Sequence, residues 1–97
     1  MKPLTYHSKV PIELRDTLDY YGSNSQVVAD KFWEELKQSL ESIRKNPKMH
    51  HFDASGLRRC NMKNFPYHIL YYIGLAGVRI IALKHYQQKP GYGTRRL

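Results

Sequence analysis

Hydrophobic and polar positions follow two different periods along this chain, and the sharper one lies near the C-terminus. From Phe65 to Ile73 the residues Phe65, Tyr67, Ile69, Tyr71 and Ile73 fall on one face of an extended segment, because side chains alternate across a strand. The opposite face, Pro66, His68, Leu70 and Tyr72, is also mostly apolar. A strand that is apolar on both faces belongs near the middle of a sheet. The turn Gly74-Leu75-Ala76-Gly77 follows, and a second β-prone run from Val78 to Tyr86 completes a β-hairpin.

Upstream the period becomes helical. Leu14, Leu18 and Tyr21 recur at helical spacing and predict a helix over about residues 10–21. Ser8 is placed to cap it, Pro11 suits its first turn, and Gly22 stands where a C′ residue is expected. Ser23-Asn24-Ser25 reads as a loop and cap for a longer helix from Gln26 to Lys45. Its apolar stripe is Val28, Phe32 or Trp33, Leu36, Leu40 and Ile43, with Lys31, Glu34, Glu35, Lys37, Glu41 and Arg44 opposite. Asn46-Pro47 ends it, and the two helices make an antiparallel hairpin. Short strands are expected at Leu4–His7 and Leu57–Lys63. The predicted order is β-α-α-β-β-β, an α+β fold in one domain over residues 1–97. Pro90, Gly91 and Gly93 keep the polar tail 87–97 irregular.

Ninety-seven residues suffice for one modest core. No apolar run approaches the roughly 20 residues needed to span a bilayer, and the opening Met1-Lys2-Pro3-Leu4 does not make a signal peptide. Cys60 is alone, so it forms no internal disulfide, which fits a reducing cytoplasm. A small buried thiol is the expected role for it. His50-His51 adjoin in a loop without a further ligand at metal-site spacing, so neither a metal nor a cofactor is expected.

Charge becomes informative once it is located. The net charge is +8, yet all eight acidic residues lie in the first 53 positions, where eight basic residues balance them. From Ala54 onward the charged residues are Arg58, Arg59, Lys63, Arg79, Lys84, Lys89, Arg95 and Arg96, with no Asp or Glu. The whole excess therefore belongs to the sheet half and tail, a one-sided basic surface suited to a polyanion or an acidic protein.

Particular residues add a family to this outline. They are Asp19-Tyr20-Tyr21, Ala29-x-x-Phe32, Ile43-x-x-x-Pro47, Arg58-Arg59 and Phe65-Pro66-Tyr67-x-Ile69-x-Tyr71, followed by His85-x-x-x-x-Pro90-x-x-Gly93-x-x-Arg96. In order and spacing this series resembles the RelE/ParE superfamily of toxins from bacterial type II toxin–antitoxin systems. The resemblance implies a cytoplasmic toxin with a small antiparallel sheet packed on an N-terminal helical hairpin, masked by a cognate antitoxin. It also implies one of two targets. RelE-like members cleave mRNA in the ribosomal A site; ParE-like members inhibit DNA gyrase and are not nucleases.

Cleavage of RNA through its 2′-OH needs a base, an acid and cations around the phosphorane, all of which His, Tyr, Lys and Arg can supply without a metal. The RelE-like basic set falls here on Arg59, Asn61, His68 and Gln88, of which only Arg59 is a permanent cation. A histidine-based variant assigns catalysis to His68 and His85, one on each hairpin strand, with Tyr86 beside them. The register through Gly74–Gly77 decides whether the two histidines share a face. Arg58, Arg59, Lys63, Arg79, Lys84, Lys89, Tyr92, Arg95 and Arg96 are the expected RNA- or partner-binding residues, cations interleaved with stacking rings. The leading expectation is a metal-independent endoribonuclease acting on ribosome-bound mRNA. The alternatives are a gyrase inhibitor without nuclease activity, and an inactive member that binds only its antitoxin.

Overall fold

The computed structural model describes residues 3–97. It contains β1 (Leu4–Tyr6), α1 (Val10–Gly22), α2 (Gln26–Lys45), β2 (Arg58–Asn61), β3 (Tyr67–Ile73) and β4 (Val78–His85). The element order is the one expected, and each boundary lies within three residues of the sequence reading. Ser25 caps α2 as predicted, its hydroxyl accepting from the Val28 N–H at 3.3 Å. At α1 two details differ. Lys9, not Ser8, is the N-cap and makes no side-chain capping bond, and Gly22 is the last helical residue before Ser23 closes the helix. Pro11 in the first turn already removes one of the donors a cap would satisfy. Among the described residues no helix is long and apolar enough to cross a membrane.

The strands form one sheet in the order β1-β4-β3-β2. β2–β3 and β3–β4 are antiparallel, as expected, but β1 joins β4 in parallel, with Leu4 opposite Val78 and Tyr6 opposite Ile80. The sheet is therefore mixed. The helical hairpin, β2 and β3 all lie between β1 and β4 in the chain, so no tight turn forces the two strands to be antiparallel. The junction is close: the Val78 N–H donates to the Pro3 carbonyl at 3.0 Å. Gly77 has φ +154°, and a Cβ placed there would lie 2.6 Å from that carbonyl oxygen.

β3 and β4 occupy the middle of the sheet and are buried on both faces. On the helical face Phe32, Leu36 and Ile43 of α2 pack on Cys60, Ile69, Tyr71, Ile80 and Leu83. Rings of Tyr21, Phe32, Phe65 and Tyr67 meet mostly edge to face, with centroids 5.0–6.4 Å apart. The other face has a smaller cluster of Leu57, Leu70, Ile81 and Ala82. A β-bulge creates it. Leu70 pairs with Ala82 and Tyr71 with Ile80, leaving Ile81 unpaired and turned toward the second face. The tail closes over this cluster at Gly93, where φ is +77° and a Cβ would come within 2.9 Å of the Ala82 methyl.

Candidate functional site

On the face away from the helices, two irregular segments stand apart and leave a cleft between them. One wall is the loop Asp53-Ala54-Ser55, the other the tail from Gln88 to Thr94, and the floor is Arg59, His68 and Lys84. The cleft holds about 520 Å³. Register explains the floor: Asn61, His68 and Lys84 are cross-strand partners on β2, β3 and β4, and Arg59 lies two positions along β2, on the same face, opposite Leu70.

His68 is only 6% exposed, and neither ring nitrogen has a hydrogen-bond partner. Burial, then the charges of Arg59 and Lys84, push its pKa down to about 4, so the ring is neutral near pH 7. Tyr86, half-exposed, lies obliquely against the imidazole with centroids 5.4 Å apart. Lys84 is buried, and its ammonium donates to the Pro90 carbonyl at 2.7 Å, which ties the tail to the floor. Arg59 pairs with Asp53 at 3.3 Å while staying partly exposed. Burial raises the Asp53 pKa, but hydrogen bonds from Ser55 and the charges of Arg59 and Lys84 outweigh it and hold the carboxyl below its usual range.

The two histidines expected to work together do not meet. His85 pairs with Tyr67 across the β3–β4 ladder, while His68 pairs with Lys84, so successive alternation puts them on opposite faces. The His85 ring packs edge-on against Tyr67 at 4.9 Å, and its Nδ1 accepts from the Gln87 N–H. Gln88 turns back to accept from the His85 N–H at 2.8 Å.

The basic residues also divide. Arg58 donates to the carbonyls of Lys48 and His50 and lies 4.2 Å over the Phe52 ring, fastening the loop after α2. Arg96 forms a largely buried ion pair with Glu13 at 2.9 Å and donates to the Ile81 carbonyl. The Tyr92 hydroxyl also donates to Glu13, and Arg96 stacks on its ring. Arg96 and Tyr92 thus fasten the tail to α1. Arg79 reaches Thr5 of β1 at 3.4 Å. Lys63, Lys89 and Arg95 are exposed.

Glu13 is the residue the sequence reading passed over. Its carboxylate receives the Leu83 N–H, the Tyr92 hydroxyl and the Arg96 guanidinium. An acid in the first turn of a helix reads as an ordinary dipole partner. The available signal was Arg96 in an otherwise acid-free half, a cation whose buried partner could come only from the first 53 residues. Asp53, the last acid of the chain, was missed as a cleft wall for a similar reason, because it sits in a loop with no periodicity.

The chain matches a known family. The family model described as ParE toxin of type II toxin-antitoxin system, parDE, matches residues 4–90. No curated protein matches by sequence. Among solved structures, a chain titled "Chromosomal ParDE TA system from P. aeruginosa" superposes with a TM-score of 0.76 at 13% identity, covering 88% of this chain and 96% of that one. That likeness supports the fold, and the family match extends from β1 through the Pro90 carbonyl that holds Lys84. The chain belongs to the ParE toxins of type II toxin–antitoxin systems.

Proposed function

We propose that this toxin, held in check by a cognate antitoxin, acts by binding its target and not by cutting RNA, and that the target is DNA gyrase. The separation of His68 and His85 onto opposite faces of the sheet carries this reading. General acid–base cleavage needs both proton-transfer groups within reach of one phosphate. Here one histidine is buried on the floor of the cleft, and the other packs on Tyr67 behind the sheet. The match to the ParE branch supports this choice of target over the ribosome.

One observation favours the rival reading, ribosome-dependent mRNA cleavage. Arg59, His68, Tyr86 and Gln88 do share a single cleft. Two assays on the same expressed protein separate the readings. Purified toxin is expected to inhibit gyrase supercoiling, and induced cells are expected to keep their mRNA 5′ ends unchanged, with His68→Ala and His85→Ala still toxic. New 5′ ends within codons that vanish in His68→Ala would move this chain to the nuclease branch.

A further inference from the structure

We infer that a groove beside the start of β2 binds an unpaired nucleobase together with its phosphate. The groove holds about 310 Å³, and Lys48, Phe52, Arg58, Tyr71 and Tyr72 are among the residues that line it. It shares no residue with the cleft over His68, and no acidic side chain lines it. Two of its rings face solvent, Phe52 at 65% exposure and Tyr72 at 46%. Large apolar side chains gathered on a surface mark an interaction site.

The rings are held in place before any ligand arrives. Phe52 pairs with Arg58 in an isolated β-bridge, and the Asp53 N–H donates to the Leu57 carbonyl at 2.6 Å. The Arg58 guanidinium lies 4.2 Å over one face of the Phe52 ring, which leaves the other face open. Tyr72 stands on β3. With both backbones fixed, little freedom is lost on binding. An acidic peptide would draw on the cations as bidentate carboxylate partners. Arg58 does not offer that role: it donates to the carbonyls of Lys48 and His50 and turns its planar face to Phe52. What remains is the stacking surface of two rings and one exposed ammonium, Lys48, which enters no ion pair among the described residues. That set fits a base, which offers a π-face, joined to a phosphate, for which a point charge suffices. The inference holds under either reading of the target, because gyrase and the ribosome both work on nucleic acid.

Aromatic ring signals of the full-length protein, followed by ¹H–¹³C NMR at constant salt, provide the test. A short single-stranded DNA is expected to move the Phe52 and Tyr72 signals saturably and to leave those of His68 in place. Phe52→Leu is expected to weaken binding roughly tenfold to a hundredfold, the worth of one stacked base, and Phe52→Tyr to restore it. A strand of the same length with abasic sites throughout is expected to bind more weakly by a similar factor. A mononucleotide then separates the sources: saturation at the same concentration as the strand assigns the site to a free nucleotide, and much weaker binding assigns it to a strand. An abasic strand that binds as tightly as the intact one, or shifts at His68 in place of Phe52 and Tyr72, would overturn the inference. So would a polyglutamate peptide that moves the same ring signals and binds more tightly than the DNA, which gives the groove to an acidic protein.

Discussion

His68 is an imidazole kept where an imidazole is costly. Its two nitrogens lack partners and its neighbours include Arg59 and Lys84, so both hydrogen bonding and charge count against it. The folded-state pKa of about 4 lies below the ordinary 6.5. Below pH 6.5 the unfolded chain therefore binds a proton that the folded chain refuses. Stability from this group is complete above that pH and drains away as pH falls toward 4. The loss reaches at most about 3 kcal/mol. Urea unfolding at a series of pH values is expected to show this slope, and His68→Leu is expected to remove it. The leucine variant should also be more stable near neutral pH by about 1 kcal/mol, because an unsatisfied polar group is gone. A wild-type profile flat from pH 4 to 6.5 would contradict the buried neutral ring. The sequence showed His68 clearly as a residue of the sheet. Its isolation from His85 was hidden, since it depends on a register that the Gly74–Gly77 turn does not disclose.

Among elements, the outer edge of β4 shows how the tail and first helix share one task. β1 is three residues long and stops at Tyr6, opposite Ile80, leaving the rest of the β4 edge without a strand. Side chains complete it. Arg96 takes the Ile81 carbonyl, Glu13 takes the Leu83 N–H, and Gln88 takes the His85 N–H. An unpaired edge invites pairing with another chain, and these contacts blunt it. Glu13→Ala leaves Arg96 without its carboxylate and Leu83 without an acceptor, at an expected cost of about 3 kcal/mol. The same change should free residues 87–97, so limited proteolysis is expected to clip at Arg95 or Arg96 sooner than in wild type. Gly77→Ala works at the other end of the strand. It drives a methyl into the Pro3 carbonyl and is expected to lower stability and detach β1, seen as faster amide exchange at Val78. The helices, the hairpin and the order of elements along the chain were legible because period and punctuation mark them: the stripe of α2, Pro47, and the double-faced run of β3. The parallel β1–β4 pairing and the bulge at Ile81 were not. Both arise from contacts between distant segments, which no local pattern encodes.

The molecule as a whole is divided by charge in a way the chain order already announced. All the acidic residues precede Ala54, so the helical half is balanced and the sheet half is basic. The two halves also differ in surface. Between the helices and the sheet lies an apolar groove of about 220 Å³, lined by Tyr6, Val10, Leu14, Trp33, Leu36 and Leu40 among others, with no charged side chain. Trp33 borders it, 38% exposed, and it is the only tryptophan of the chain. A half-open aromatic at the rim of an apolar groove has the character of a binding hot spot. For a toxin of this family the antitoxin is the occupant to test. Antitoxin binding is therefore expected to blue-shift Trp33 emission. Trp33→Ala should weaken the complex by about 2 kcal/mol, near thirtyfold in Kd. It should also lower the stability of the toxin alone, by about 1–2 kcal/mol, because more than half of the ring is covered; the complexes are therefore compared under conditions where both toxins are fully folded. Salt separates this contact from those made by the basic face. Apolar burial is insensitive to ionic strength, whereas attraction between exposed charges is screened. In calorimetric titrations the free-energy loss caused by Trp33→Ala should stay the same at low and high salt. A loss caused by Lys89→Ala or Arg95→Ala should shrink as salt rises. If the Trp33→Ala loss falls with salt as theirs does, the antitoxin is held by the basic face, and the groove belongs to another partner.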